Sequence, residues 1–152
     1  MDVSAQNLAA LNSFLRGEIS ATEIYRYTLE RVNRPKWRLC LDDCMQSHAR
    51  RTQLLRHRID ALGGIPARGS GTWGVFVMSL ALGADMLGPL SAIAALELGE
   101  THGRLAYLRK LHLLDPATRA FIEAQVLPAQ NLTHEWINAL KRISGVEYLA
   151  DR

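Results

Sequence analysis

Residues 90–111, LSAIAALELGETHGRLAYLRKL, decide the fold, because they form a long helical pattern whose packing face carries charge. At helical spacing the inward face consists of Leu90, Ile93, Glu97, Glu100, Arg104, Tyr107 and Leu111. A carboxylate on a packing face must be paired, protonated or bound to a metal ion. The segment therefore predicts polar groups at the same depth on the neighbouring helices.

The composition predicts one soluble domain over residues 1–152. The chain is long enough to bury its own core, and it is 48% hydrophobic and 22% charged, as in ordinary globular proteins. The first residues lack the basic and apolar regions of a signal peptide, so we expect a cytoplasmic protein. Cys40 and Cys44 lie one helical turn apart, which is poor disulfide geometry, so we expect reduced thiols.

The net charge of +3 and the pI of about 9.1 are too weakly basic to predict nucleic-acid binding. The most basic segment holds Arg50, Arg51, Arg56 and Arg58. We interpret it as a solvated helix face, and a phosphate-binding face is the alternative. Nucleic acid is therefore not the partner that we expect.

Two further helices precede the opening segment. The apolar repeat predicts the first over residues 4–32, ended before Pro35, and the second over residues 37–62. The short connection between them requires antiparallel neighbours.

Both of these helices have apolar ends and a polar middle, with Glu18 and Thr22 on the first and His48 and Thr52 on the second. Folding the chain about residue 35 places Glu23 opposite His48 and Glu18 opposite Thr52. The sequence therefore predicts two polar layers meeting at one height.

Residues 63–88 predict a crossover. Glycines dominate residues 63–71, a short apolar helix is expected over residues 73–82, and residues 72–96 hold a single charge, Asp85. We do not interpret this stretch as a membrane span, because glycines, a proline and the aspartate interrupt it. A buried crossover along the bundle is the preferred interpretation.

The last two helices are predicted over residues 89–112 and 116–143. Pro89 and Pro116 suit first helical turns, Pro128 predicts a kink, and residues 145–152 form a short tail or a last helical turn. Folding about residue 115 places Glu97 beside His134 and leaves Glu100 a turn away. We therefore expect Glu97 to be the inward carboxylate and Glu100 to support it or to pair with Arg104.

Four long helices with a long crossover between helices 2 and 3 are typical of the all-α ferritin-like four-helix bundle. The chain resembles a small bacterial branch of the ferritin-like superfamily known as a domain of unknown function. The resemblance is carried by Glu23-Ile-Tyr25, Ser47-His48 leading to Leu62-Gly63-Gly64-Ile65-Pro66, Gly71-Thr72-Trp73-Gly74, Glu97-Leu98-Gly99-Glu100-Thr101-His102 and Gln130-Asn131-Leu132-Thr133-His134.

The resemblance implies a carboxylate and histidine metal site in the core. The implied ligands are Glu18, Glu23, His48, Glu97, Glu100 and His134. Iron, manganese or zinc suits such oxygen and imidazole donors. The family's two Glu-x-x-His motifs are incomplete, because Met45 and Asn131 stand three residues before the histidines.

Three functions stay open at this point. The first is a ferritin-like protein that binds a metal ion in its core, with a role in metal handling or oxidative stress. The second is a metal-free bundle that serves as an interaction or oligomerisation module, its polar layer fixing helix register through hydrogen bonds. The third is a weakly basic nucleic-acid-binding bundle. A homo-oligomer without membrane contact is the expected assembly.

Overall fold

The computed structural model describes residues 2–72, 74 and 87–150 of the chain, and over these residues it is an all-α bundle of four long helices. The helical segments are α1 (Val3–Leu29), α2 (Pro35–Ala61), α3 (Pro89–Lys110), a 3-10 turn (Leu111–Leu113), α4 (Pro116–Phe121), a π-helical turn (Ile122–Val126) and α5 (Leu127–Ala150). The predicted all-α bundle of four long helices is confirmed over these residues. The predicted short helix over residues 73–82 lies outside the described residues, apart from Gly74.

None of the described helices combines the length and the apolarity that crossing a membrane requires.

The helix ends follow the local sequence signals. The Asp2 side chain caps α1 by accepting from the Ser4 amide, and α2 and α3 each begin at a proline. The Asp115 carboxylate accepts from the Thr118 amide at 2.8 Å, which confirms the predicted start at Pro116. Asp115 is further held by Asn7 of α1, whose side-chain oxygen accepts from the Asp115 amide at 3.0 Å.

Pro128 disturbs the fourth long helix as predicted. Five residues before Leu127 form a π-helical turn, Ile122–Val126, because proline lacks the N–H that would bond one turn back and its ring crowds that turn. The predicted end of this helix is wrong: α5 continues to Ala150 rather than ending at residue 143. Gly145 does not end the helix, which shows that a mid-helix glycine is a cost and not a stop.

The helices form a square in which every adjacent pair is antiparallel. Two side-chain contacts for each pair show the direction. Leu29 with Arg38 and Asn12 with Ile65 join the α1 and α2 regions, and Tyr25 with Glu100 and Glu18 with Tyr107 join α1 and α3. Trp37 with Glu147 and Arg51 with Gln130 join α2 and α5, and Glu97 with Lys141 and Arg104 with Asn131 join α3 and α5. Helices α2 and α3 consequently run parallel, so Leu62 and Gly88 lie at opposite ends of the bundle.

The core consists of two apolar clusters with a polar layer between them. One cluster is Ile24, Tyr25, Leu29, Val32, Trp37, Leu41, Cys44, Ile93, Leu96, Ile137 and Leu140. The other is Ala10, Leu11, Phe14, Leu15, Leu55, Ile59, Tyr107, Leu114, Ile122, Val126 and Leu127. The predicted pattern of apolar ends and a polar middle is therefore confirmed.

Candidate functional site

Four charged side chains from three helices meet in the polar layer, and we call them the charged cluster: Glu18, His48, Arg51 and Glu100. All four are at most 3% exposed. Charges at this depth are tolerated only when they are paired and hydrogen-bonded. The contacts around each member therefore decide what the cluster can do.

His48 lies between the two carboxylates. Its Nδ1–H donates to Glu18 Oε2 at 2.6 Å, and its Nε2–H donates to Glu100 Oε1 at 2.8 Å. Burial opposes the charged imidazole, but the Glu100 and Glu18 carboxylates raise the pKa of His48 above its usual value. Donation from both ring nitrogens requires the imidazolium form, which agrees with this direction.

Arg51 supplies the second positive charge. Its Nε donates to Glu18 Oε1 at 3.0 Å, its Nη1 to Ser47 Oγ at 2.9 Å and its Nη2 to Gln130 Oε1 at 3.0 Å. The Nη2 atom also lies 2.6 Å from Nδ1 and 3.3 Å from Nε2 of His48, so the guanidinium lies against the imidazole ring. With two carboxylates, one guanidinium and one imidazolium, the charged cluster is neutral overall.

The carboxylate of Glu100 is fully hydrogen-bonded. Its Oε1 accepts from Tyr25 at 2.7 Å as well as from His48, and its Oε2 accepts from Gln130 at 2.8 Å and Thr133 at 3.0 Å. These four donors occupy the four acceptor positions of a carboxylate.

The carboxylate of Glu18 has one acceptor position left among the described residues. Its Oε1 accepts from Arg51 and from Tyr107 at 2.6 Å, whereas Oε2 accepts from His48 alone. Burial would raise the pKa of this carboxyl, but Arg51 and His48 lower it to about 2. Glu18 is therefore a buried carboxylate that stays ionised.

A cavity of about 60 Å³ lies between α1 and α3, directly against the charged cluster. Glu18, His48 and Glu100 line it, and Arg51 does not. The rest of its wall is formed by Ser13, Phe14, Gly17, Ser20, Ala21, Ile24, Tyr25, Ala95, Leu96, Gly99, Gly103, Ala106, Tyr107 and Gln130. The cavity thus joins apolar walls to a charged floor.

Two glycines keep this space open. A Cβ atom added at Gly17 or at Gly99 would meet no atom within 4 Å, although both lie inside helices, where glycine costs about 0.5–1 kcal/mol relative to alanine. Helices that met closely at these positions would leave no room for a Cβ. The glycines therefore do not serve tight packing between α1 and α3.

The structure brings together three of the six residues predicted as ligands, Glu18, His48 and Glu100. Glu23 is exposed and accepts from Ser70 at 3.0 Å, away from His48. The predicted pairing is displaced because the turn after α1 is centred on residue 32 rather than 35. His48 consequently meets Glu18.

The predicted roles of Glu97 and Glu100 are wrong. Glu100 is the inward carboxylate, whereas Glu97 has 21% of its side chain exposed and accepts from Lys141 at 2.9 Å. His134 lies beside Glu97 only through Thr101, whose hydroxyl contacts both side chains. Arg104, the expected partner of Glu100, donates to Asn131 at 2.9 Å.

Arg51 is the member of the charged cluster that the sequence does not predict. The sequence places it on a solvated arginine face, but it is 1% exposed, whereas Arg50 beside it is exposed. A signal was present: residues 41, 44, 48, 51 and 55 repeat at spacings of three and four, and all five are buried. The same repeat places Cys44 inward instead of Met45.

The dimetal pattern of the ferritin-like superfamily does not fit these residues. Glu23, Glu97 and His134 lie outside the cluster, and the two ring nitrogens of His48, which point in opposite directions, face different carboxylates. Among the described residues no group of three histidine, cysteine or acidic side chains is arranged to hold one metal ion.

Comparison of the chain with protein-family models, with curated proteins and with solved structures found no match.

Proposed function

We propose that this chain is a small-ligand-binding helical bundle, whose binding site is the cavity between α1 and α3 with the charged cluster as its floor. The observation that carries the proposal is the coincidence of a cavity with ionised buried side chains: Glu18, His48 and Glu100 all line it. Ligand sites in proteins commonly combine apolar walls with a few fixed polar groups.

Preorganisation supports the same function. The hydrogen bonds that satisfy Glu18 and Glu100 come from α2, α3 and α5 as well as from α1, so the polar floor is held from all sides of the bundle. A ligand then meets side chains that need little ordering on binding, which favours affinity.

The cavity volume sets the ligand size. A bound water needs about 10–15 Å³ of such space, so the cavity has room for about four to six water-sized groups. We therefore expect ligands of about four to six non-hydrogen atoms.

The overall architecture extends the proposal to the fold family. A ferritin-like arrangement is supported by the parallel directions of α2 and α3, which require the intervening chain to connect opposite ends of the bundle. In this proposal the charged cluster takes the position at mid-bundle where that superfamily builds its metal centre.

The test measures unfolding midpoints against a panel of linear amines, alcohols and carboxylates of three to five carbons. A member that binds the cavity raises the midpoint of the parent and of a Gly145→Leu variant, but not that of Gly99→Leu, whose side chain fills the cavity. Gly145 lies on α5, and a Cβ there also meets nothing within 4 Å, so it is the matched control. An effect that survives in Gly99→Leu, or no effect from any member, contradicts the proposal.

Metal binding, which the sequence predicts for Glu18, His48 and Glu100 among others, stays a second proposal, although these three side chains are not arranged around one position for an ion. Elemental analysis of protein purified without chelators and then reconstituted with iron, manganese or zinc tests it. If one ion binds at the cluster, His48→Ala loses it and His134→Ala retains it. Equal losses in both variants, or no bound metal in the parent, would rule out an ion at the cluster.

Two partner predictions stay open beside these functions. A homo-oligomer predicts a mass that depends on protein concentration. Nucleic-acid binding predicts salt-dependent DNA retention that is lost on replacing Arg50 and Arg56.

A further inference from the structure

We infer that the ligand of this cavity is a small aliphatic ammonium ion, a positively charged amine on a short hydrocarbon chain. This inference rests on the proposed function and adds the chemical class of the ligand. It follows from which charges face the cavity, which acceptor atoms remain open in it, and what forms its walls.

The charges that face the cavity favour a cation. Its lining contains two carboxylates, Glu18 and Glu100, one imidazolium, His48, and no lysine or arginine, so the charges that face the cavity sum to −1. The compensating guanidinium of Arg51 lies behind His48 and Glu18, outside the lining. A ligand in the cavity is thus nearer to the carboxylates than to Arg51, and an anionic ligand would be repelled by both carboxylates.

Two acceptor positions are open in the part of the chain that the structure describes. Glu18 Oε2 accepts from His48 alone, and a carboxylate oxygen has two acceptor positions. Ser20 lines the same cavity, is 1% exposed, and its buried hydroxyl has no hydrogen-bond partner. An unpartnered buried hydroxyl is costly, and each of these two open positions could accept a hydrogen bond from an ammonium group.

The walls select an organic ammonium ion rather than a bare metal ion. Phe14, Ile24 and Leu96 present hydrocarbon and aromatic surface, which an alkyl chain covers and a hydrated metal ion does not. The rings of Phe14 and Tyr25 also favour a positive charge near their faces. A metal ion would have to displace the donors that already occupy Glu100, whereas an ammonium ion needs only the open positions.

The position of Lys110 orients the ligand. Its ammonium group donates to Ser13 and lies 5.8 Å from the centre of the Phe14 ring, at one end of the cavity. Because like charges repel, the ligand's charge is kept away from this end and lies at the open acceptor positions of Glu18 and Ser20.

Isothermal titration with n-butylammonium chloride tests this inference, with 1-butanol and sodium butyrate as matched neutral and anionic probes. Ionic strength is held constant with sodium chloride. We expect n-butylammonium to bind at least about tenfold more tightly than 1-butanol, since a hydrogen bond to a charged group is worth more than a neutral one. Butyrate should bind more weakly than either.

Two variants locate the binding. Ser20→Ala should weaken n-butylammonium binding about fivefold without loss of helical content, because in the unliganded protein this hydroxyl makes no bond to a described residue. Gly99→Leu should abolish binding, and Gly145→Leu should leave it unchanged. Unchanged affinity in Ser20→Ala, or binding retained by Gly99→Leu, contradicts the assignment.

The outcomes separate this inference from the function on which it rests. If 1-butanol or butyrate binds as tightly as n-butylammonium and Gly99→Leu abolishes that binding, the cavity is a ligand site but its ligand is not a cation. If Mn²⁺ binds and n-butylammonium does not, the ammonium assignment fails and a metal site is favoured. If no probe binds, both the inference and the proposed function fail.

Discussion

Arg51 is the side chain on which the charge balance of the bundle core depends. It donates to Glu18, Ser47 and Gln130, so it joins α2 to both α1 and α5. Without it, the two buried carboxylates would share a single positive charge, that of His48.

Replacing Arg51 therefore tests the charge balance directly. We expect Arg51→Met to lower the free energy of unfolding by about 3–5 kcal/mol, the usual cost of removing one partner of a buried ion pair. The exposed neighbour, Arg50, provides the control. Arg50→Met should change the free energy of unfolding by no more than about 0.5 kcal/mol. Urea unfolding of both variants is the measurement, and similar effects of the two would contradict the buried role of Arg51.

Glu18 makes the free energy of unfolding depend on pH in the acidic range. Its pKa is about 2 in the folded protein, held there by Arg51 and His48 against the effect of burial, and about 4.5 in the unfolded chain. The stabilisation is therefore complete above pH 4.5 and is lost as the pH falls through 2. By pH 3 the loss from this group should reach about 2 kcal/mol.

Urea unfolding at pH 6, 4 and 3 measures this loss. Glu18→Gln should flatten the dependence over this range, because the amide does not titrate. Glu23→Gln, which changes an exposed glutamate on the same helix, should not. If the curves of Glu18→Gln and the parent stay parallel, Glu18 is not ionised in the folded core.

At the scale of single helices, the sequence predicts which segments are helical more accurately than it predicts which side chains face inward. The ends of α3 and the start at Pro116 follow from prolines and the Asp115 cap. The inward face of α3 follows only in part: Ile93, Glu100 and Tyr107 are buried as predicted, but Leu96, one residue away, is buried in place of Glu97. Between Ile93 and Glu100, a helix can bury either residue 96, at spacings of three then four, or residue 97, at spacings of four then three. Only packing against the other helices selects between these two positions.

At the same scale, two glycine-to-alanine substitutions should change the free energy of unfolding in opposite directions. Gly99→Ala should raise the free energy of unfolding by about 0.5–1 kcal/mol, because its Cβ enters open space and alanine favours the helix. Gly63, after α2, has a φ of 72°, which is unfavourable for a residue with a Cβ atom. Gly63→Ala should therefore lower the free energy of unfolding by about 1 kcal/mol. Thermal unfolding distinguishes them, and a destabilised Gly99→Ala would mean that the cavity is closed.

At the scale of the whole molecule, the polar layer was predictable and its pairing was not. Apolar ends and polar middles along the helices required side chains such as Glu18 and His48 to meet at mid-height. Which pairs meet depends on the turn after α1, since moving its centre from residue 35 to 32 exchanges Glu23 for Glu18. The buried state of Arg51 follows only from the assembled bundle, because Arg51 needs partners on two other helices.

The cavity also belongs to this scale, because it exists only where α1 and α3 pass each other. No single helix reveals that Gly17 and Gly99 leave space beside two ionised carboxylates. The architecture therefore places a small cavity against the most polar part of the core.

The most direct measurement of the central claim is an NMR titration of ¹⁵N-labelled protein with n-butylammonium, followed at the glycine amides. Saturable shifts at Gly17, Gly99 and Gly103, with Gly145 unchanged, are the predicted result. Cavity glycines that do not shift, or a shift at Gly145 as large as theirs, would contradict a ligand site between α1 and α3.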